Sequence, residues 1–241
     1  GSESIYGYRN KVQFPVQVQN GKAVAGFYKA GSHTVIPITD CKIQPGVAKT
    51  IRAAVLSWME KENVPAYDER THTGLVRHIY LRYGAKSGQT LVCTVANCEA
   101  LPKKKALVRE ILAADVDVTG IVVNYNTKKS NVILGERFET LYGEGYLEDA
   151  LLGLTFRLSP AAFYQVNHDQ AERLYEKAIE FARFTGEETA LDLYCGSGTI
   201  TLCLARHVKT VYGVEIVDAA IHDAKENARK NGIVNAKFFC A

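Results

Sequence analysis

Asp192, Gly196, Gly198 and Glu215 are the residues whose types and spacing are best suited to chemistry. They lie in and after LDLYCGSGTITLCLA, residues 191–205, where an apolar strand-like run ends in two glycines and passes into a helix-like one. Glycines at the carboxyl end of a strand let a ligand approach the backbone with no Cβ in the way. Glu215 ends the next apolar run, 19 residues after Gly196, where a carboxylate can accept hydrogen bonds from ribose hydroxyls. Both NAD sites and S-adenosyl-L-methionine sites use this plan, and two residues discriminate between them. Position 201 is Thr, where a pyrophosphate-binding turn would carry its third glycine. Asp192 precedes Gly196 by four residues, and an acid there suits a cofactor that has an ammonium group and no phosphate. The pattern favours S-adenosyl-L-methionine over NAD, with a ligand-free packing turn as the plain alternative.

The elements that must hold this turn follow from periodicity. After Ser159-Pro160 the chain reads DQAERLYEKAIEFARF (helix), TALDLYC (strand), GTITLCLARHV (helix), TVYGVEI (strand), VDAAIHDAKENARKNGI (helix) and AKFFCA (strand). Strand–helix alternation of this kind predicts a parallel, doubly wound sheet, here only its opening half. Residues 1–160 read differently. YRNKVQFPVQVQNGKAVAGFYKAGSH alternates on both sides of Asn20-Gly21, a hairpin signal. GLVRHIYLRYG and QTLVCTVAN predict a second strand pair, and VTGIVVNYNTKKSNVILGERFETLYG a third. YLEDALLGLTFRLSP is expected to continue the same sheet. GVAKTIRAAVLSWMEKENV has helical spacing, and PKKKALVREILAAD is expected to open a helix with proline in its first turn. The fold class is therefore α/β: a partial Rossmann-like sheet over 161–241, preceded by a mostly antiparallel α+β central domain over 1–160.

Composition sets outer bounds. Hydrophobic residues at 47% and charged residues at 23% fit a globular chain, and no apolar run approaches the roughly 20 residues of a membrane span. A net charge of +3 permits a nucleic-acid partner without demanding one. The six cysteines, 41, 93, 98, 195, 203 and 240, form no Cys-x-x-Cys pair and outline neither a disulfide framework nor a zinc site.

Five stretches in one order along the chain carry a resemblance: YRNKVQFPV, GFYKAGSH, CKIQ, SPAAFYQVN and LDLYCGSGT. Together they resemble the RNA uracil-C5 methyltransferases, which make 5-methyluridine in 23S ribosomal RNA and transfer RNA. The resemblance implies that Gln165 contacts S-adenosyl-L-methionine, Tyr194 packs on it, Gly196 lines its turn and Glu215 holds its ribose. Gln165 as a helix cap and Tyr194 as core are the plain alternatives. Some members carry Asn where this chain has Thr199, which leaves that contact open. Cys41 of CKIQ matches the fourth ligand of a 4Fe-4S cluster in many members; the other three come from an upstream stretch that this chain lacks, as it lacks a small N-terminal RNA-binding barrel.

In that family a cysteine thiolate adds to uracil C6, C5 takes the methyl group, and a carboxylate removes the C5 proton. The nucleophile and base come from a later stretch with no match before Ala241, so no catalytic residue is assigned. The chain is expected to be an inactive fragment of a methyltransferase acting most naturally on 23S rRNA. A tRNA enzyme, a non-catalytic RNA-binding module and an NAD-dependent oxidoreductase are the alternatives. RNA is the expected partner, with no membrane, a monomeric state and a cytoplasmic location. Lys103-Lys104-Lys105, Lys128-Lys129, Arg9 and Lys11 are candidate phosphate contacts, against the plain reading of solvated faces. His33, His72 and His78 lack metal-ligand spacing and read as structural.

Overall fold

The computed structural model describes residues 4–241. The chain divides into two compact units, one of residues 4–83 and 88–147, the other of residues 84–87 and 148–241.

The first unit is built on a seven-stranded sheet of β1 (Lys11–Gln19), β2 (Lys22–Tyr28), β3 (Val35–Pro37), β4 (Val76–Tyr83), β5 (Thr90–Ala96), β6 (Val118–Tyr125) and β7 (Arg137–Gly143). Its order is β3-β2-β1-β4-β5-β6-β7, and every pair except the parallel β5–β6 is antiparallel. The Asn20-Gly21 turn has φ of 51° and 75°, which the tight β1–β2 hairpin requires. Helices α1 (Val47–Lys61) and α2 (Lys104–Leu112) pack Ile51, Val55, Trp58, Met59, Leu107 and Ile111 into the core with Phe14, Ile79, Leu81 and Val92. Proline does not open α2: Lys103, at φ 58°, separates Pro102 from the helix. The carbonyl of Lys103 accepts a hydrogen bond from the Trp58 indole at 3.3 Å, which fixes that entry.

The second unit contains β8 (Leu147–Leu151), β9 (Leu154–Leu158), α3 (His168–Ala182), β10 (Thr189–Leu193), α4 (Thr199–Ala205), β11 (Thr210–Glu215), α5 (Asp218–Lys230) and β12 (Ala236–Cys240). Strands β10, β11 and β12 form a parallel sheet in that order, with Leu193 beside Val214 and Glu215 beside Cys240.

β8 and β9 do not continue the seven-stranded sheet; they make a two-stranded sheet of their own. Leu152 and Gly153, at φ 49° and 75°, form the tight turn between them. Residues 84–87 and 148–160, which the sequence reading groups with 1–160, pack with 161–241. Buried Asp149 accepts hydrogen bonds from the backbone N–H groups of Ala85, Lys86 and Ser87 at 3.0, 2.9 and 3.1 Å and ties that turn down. Among the described residues no helix is long and apolar enough to cross a membrane.

Candidate functional site

The chain leaves β10 through Tyr194, Cys195, Gly196, Ser197 and Gly198 before α4 begins. Tyr194, Gly196 and Gly198 all lie in the left-handed region, at φ 64°, 55° and 81°. Glycine does this freely, whereas a tyrosine pays roughly 1–2 kcal/mol. The backbone spends that energy on turning the Tyr194 side chain outward, where it is 87% exposed. Gly198 has a second reason to be glycine: a Cβ there would stand 3.1 Å from Ala224 and 3.2 Å from the Phe238 ring. Over Gly196 the space is open, with only the Phe163 Cβ reaching 4.0 Å.

Two carboxylates brace the turn. Glu215, at the end of β11, accepts from the backbone N–H of Gly196 at 3.1 Å and of Val217 at 3.0 Å. Asp192, on β10, accepts from the Thr201 hydroxyl at 2.5 Å. Burial raises the Asp192 pKa, and the hydrogen bonds from Thr201 oppose that rise. The same surroundings silence the nearest thiol: burial, then the charges of Asp192 and Glu215, pushes Cys195 up to about 11. Burial pushes Cys203 and Cys93 to about 12. A nucleophilic thiolate needs the opposite environment.

The segment before α3 lies alongside. Ser197 Oγ donates to the Phe163 carbonyl at 3.5 Å, which brings Phe163 to the edge of the turn. Gln165 is half-buried, and it is Asn167 that caps α3, accepting from the Gln170 N–H at 3.2 Å. Beneath the turn, buried Asn227 of α5 donates to the Ser197 carbonyl at 3.1 Å. Tyr194, Gly196 and Glu215 therefore lie together at the carboxyl end of a parallel sheet, where open α/β sheets bind ligands, and Gln165 follows Phe163 by two residues. Sequence reasoning missed Asn227 and Phe163, and took Thr201 only as an absent glycine.

The tRNA (Uracil-5-)-methyltransferase family matches residues 104–240. The chain belongs to that family. Among the relatives of this chain is an uncharacterized RNA methyltransferase of Clostridium acetobutylicum, 44% identical over 238 residues, covering 99% of the chain and 52% of that protein. A Lactiplantibacillus plantarum counterpart is 47% identical over 232 residues, covering 96% and 50%. The chain spans about half the length of the curated relatives it matches. The crystal structure of Pyrococcus abyssi tRNA (uracil-54, C5)-methyltransferase in complex with S-adenosyl-L-homocysteine superposes with a TM-score of 0.83 at 25% identity, covering 100% of this chain and 57% of that one. The methyltransferase fold expected for the second unit is thus the fold observed.

Other candidate residues of this methyltransferase family member fall elsewhere. Cys41 is a half-buried free thiol whose N–H bonds to Asp40 at 2.9 Å. It joins no three-ligand group among the described residues, so the residues present do not fit a 4Fe-4S cluster. The group that does form, His168, Asp169 and Glu172, already faces a cation: Lys86 Nζ lies 3.7 Å from Asp169 and 3.5 Å from Glu172. Several of the lysines proposed for phosphate are paired, Lys103 with Glu62, Lys104 with Glu139 and Lys128 with Glu136. Arg9 and Lys11 cluster instead with buried Arg82, and burial, then the charges of Arg82 and Arg9, lowers the Lys11 pKa. His33 pairs with Glu69, His72 with the Tyr67 hydroxyl, and His78 is buried.

Proposed function

We propose that this chain carries the cofactor-binding part of an S-adenosyl-L-methionine-dependent RNA uracil-C5 methyltransferase that makes 5-methyluridine in 23S ribosomal RNA. The observation that carries the reading is the open space over Gly196, with Glu215 bonded to its N–H and the Tyr194 side chain exposed two residues before it. The cofactor, when bound, supplies an electrophilic methyl group on its sulfonium. The residues here do the holding. Glu215 keeps acceptor capacity beyond its two backbone bonds and suits a ribose diol. The exposed Tyr194 ring offers a face on which an adenosine can pack and shed water, and Gln165 supplies an amide contact. Transfer RNA as the target is the second reading, favoured by the Pyrococcus abyssi likeness. The reading includes a cytoplasmic, monomeric protein.

The proposal also holds that residues 1–241 by themselves transfer no methyl group, since the buried thiols of the turn and of α4 are held in the unreactive form. The test incubates the chain with radiolabelled S-adenosyl-L-methionine and either 23S rRNA or tRNA, beside a chain extended to the length of its relatives. Label is expected in uridine C5 of 23S rRNA with the extended chain alone. Label in tRNA only would move the assignment to the second reading, and label in neither would remove the activity.

Glu215→Ala is expected to weaken S-adenosyl-L-homocysteine binding by about 1–3 kcal/mol, the usual loss when buried polar partners are left unpaired. Calorimetric titration checks it. Unchanged affinity in a folded variant would take Glu215 out of the site.

A further inference from the structure

Thr201 is fully buried in the first turn of α4, and its hydroxyl and backbone N–H both point to the carboxylate of Asp192. Gly198, which precedes α4 at the capping position, has no side chain to satisfy that N–H. Asp192 therefore serves the helix start from the neighbouring strand. Among the described residues Asp192 has no cationic partner, although it is half-buried one residue before the end of β10. Burial there disfavours the charged carboxylate, the hydrogen bonds from Thr201 favour it, and a cation placed beside it favours it further.

Building on the cofactor reading above, we propose that Thr201 is a positioning residue of that site, holding Asp192 as the anchor for the ammonium group at the amino-acid end of S-adenosyl-L-methionine. A glycine at 201 would lack the hydroxyl, and valine would keep the volume while losing the bond. With the hydroxyl bond lost, only the backbone N–H of residue 201 still opposes the effect of burial on Asp192, and the carboxylate protonates at a higher pH. Affinity for a cationic ligand then falls first on the acid side of the pH profile.

The experiment compares two ligands on the whole chain by calorimetric titration: S-adenosyl-L-homocysteine, which carries the ammonium, and 5′-methylthioadenosine, which lacks the amino-acid end. Thr201→Val is expected to weaken S-adenosyl-L-homocysteine about tenfold, the loss of one hydrogen bond to a charged group, while leaving methylthioadenosine within about twofold. Thr201→Ser should restore the difference, and the acid limb of the Thr201→Val profile should move to higher pH. Equal losses for both ligands would mean that Thr201 only shapes the turn and would overturn the proposal, as would no loss for either. A wild-type chain that binds neither ligand would overturn the cofactor reading itself, and the role of Thr201 with it. A wild-type chain that binds both equally would leave the adenosine site standing and remove the Asp192 anchor.

Discussion

Replacing Asn227 by alanine is expected to destabilise the second unit by about 3–5 kcal/mol, far more than a polar-to-alanine change on a helix surface. Asn227 is 0% exposed and works on both sides of α5. Its Oδ1 accepts from the Arg157 N–H at 2.8 Å, and its Nδ2 donates to the Ser197 carbonyl at 3.1 Å and the Arg157 carbonyl at 3.5 Å. One turn on, Asn231 repeats the pattern with Thr155, accepting at 2.8 Å and donating at 2.7 Å. One turn back, Asp223 accepts from the Ser159 hydroxyl at 3.2 Å. Three side chains four residues apart on a helix thus meet three residues two apart along and just past β9, so α5 does for that strand edge what a neighbouring strand would do.

Alanine at 227 leaves a buried N–H and buried carbonyls without partners, and opens a small cavity as well. Because one of those carbonyls belongs to Ser197, the loss extends into the glycine turn, and affinity for S-adenosyl-L-homocysteine should fall along with stability. Asn231→Ala should cost less, since Asn231 is only half-buried and water can replace it. Denaturant unfolding gives the magnitude, and hydrogen exchange at the Arg157 amide gives the place. A loss under about 1 kcal/mol, or unchanged protection of that amide, would show that the stripe is incidental.

This stripe also explains how far the sequence could be read. The parallel unit was legible because every signal in it is local: an apolar run, glycines, an amphipathic helix, another apolar run. The glycine turn and Glu215 were legible for the same reason, since the spacing of strand ends places them together. The β8–β9 hairpin was not assignable to a sheet, because alternation at Leu147, Asp149 and Leu151 says which face is buried and nothing about which neighbour covers the edge. The deciding partners, Asn227 and Asn231, lie 70 and 76 residues after the backbone groups they meet and look like ordinary polar helix positions until the contact is seen. Tyr194 shows the converse. Its identity pointed to the site, but its left-handed backbone, which turns the side chain outward, is a property of the turn that no residue type announces.

Acidification is expected to weaken the first unit between pH 6.5 and about 4, and His78 is the group responsible. It sits in β4 with 5% of its surface exposed, and its Nδ1 finds no protein partner among the described residues. Burial, then the charge of Arg77, lowers its pKa from 6.5 to about 4, against a smaller opposing pull from Glu69. The groups around it come from several elements: Arg77 beside it on β4, Tyr67 and Glu69 from the segment before β4, Tyr28 from β2 and His33 after it, all lining one small cavity. Because the folded-state pKa is depressed, the unfolded chain takes up the proton first as pH falls. The stabilisation is complete above 6.5 and is lost as pH falls through about 4, a total of about 3 kcal/mol. Glu69 acts in a lower window. Burial pulls its pKa up, but the hydrogen bonds from His33 and Tyr28 more than reverse this, so its contribution is lost only below its ordinary 4.5. Loss of stability between pH 6.5 and 4.5 therefore separates the histidine from the carboxylate. Denaturant unfolding of the wild-type chain across that window should show stability rising with pH, and His78→Asn should flatten the rise while leaving the fall below pH 4.5 in place. The same slope in both proteins, or a His78 titration midpoint near 6.5 by NMR, would mean that the imidazole charges without cost and that acid acts on the fold elsewhere.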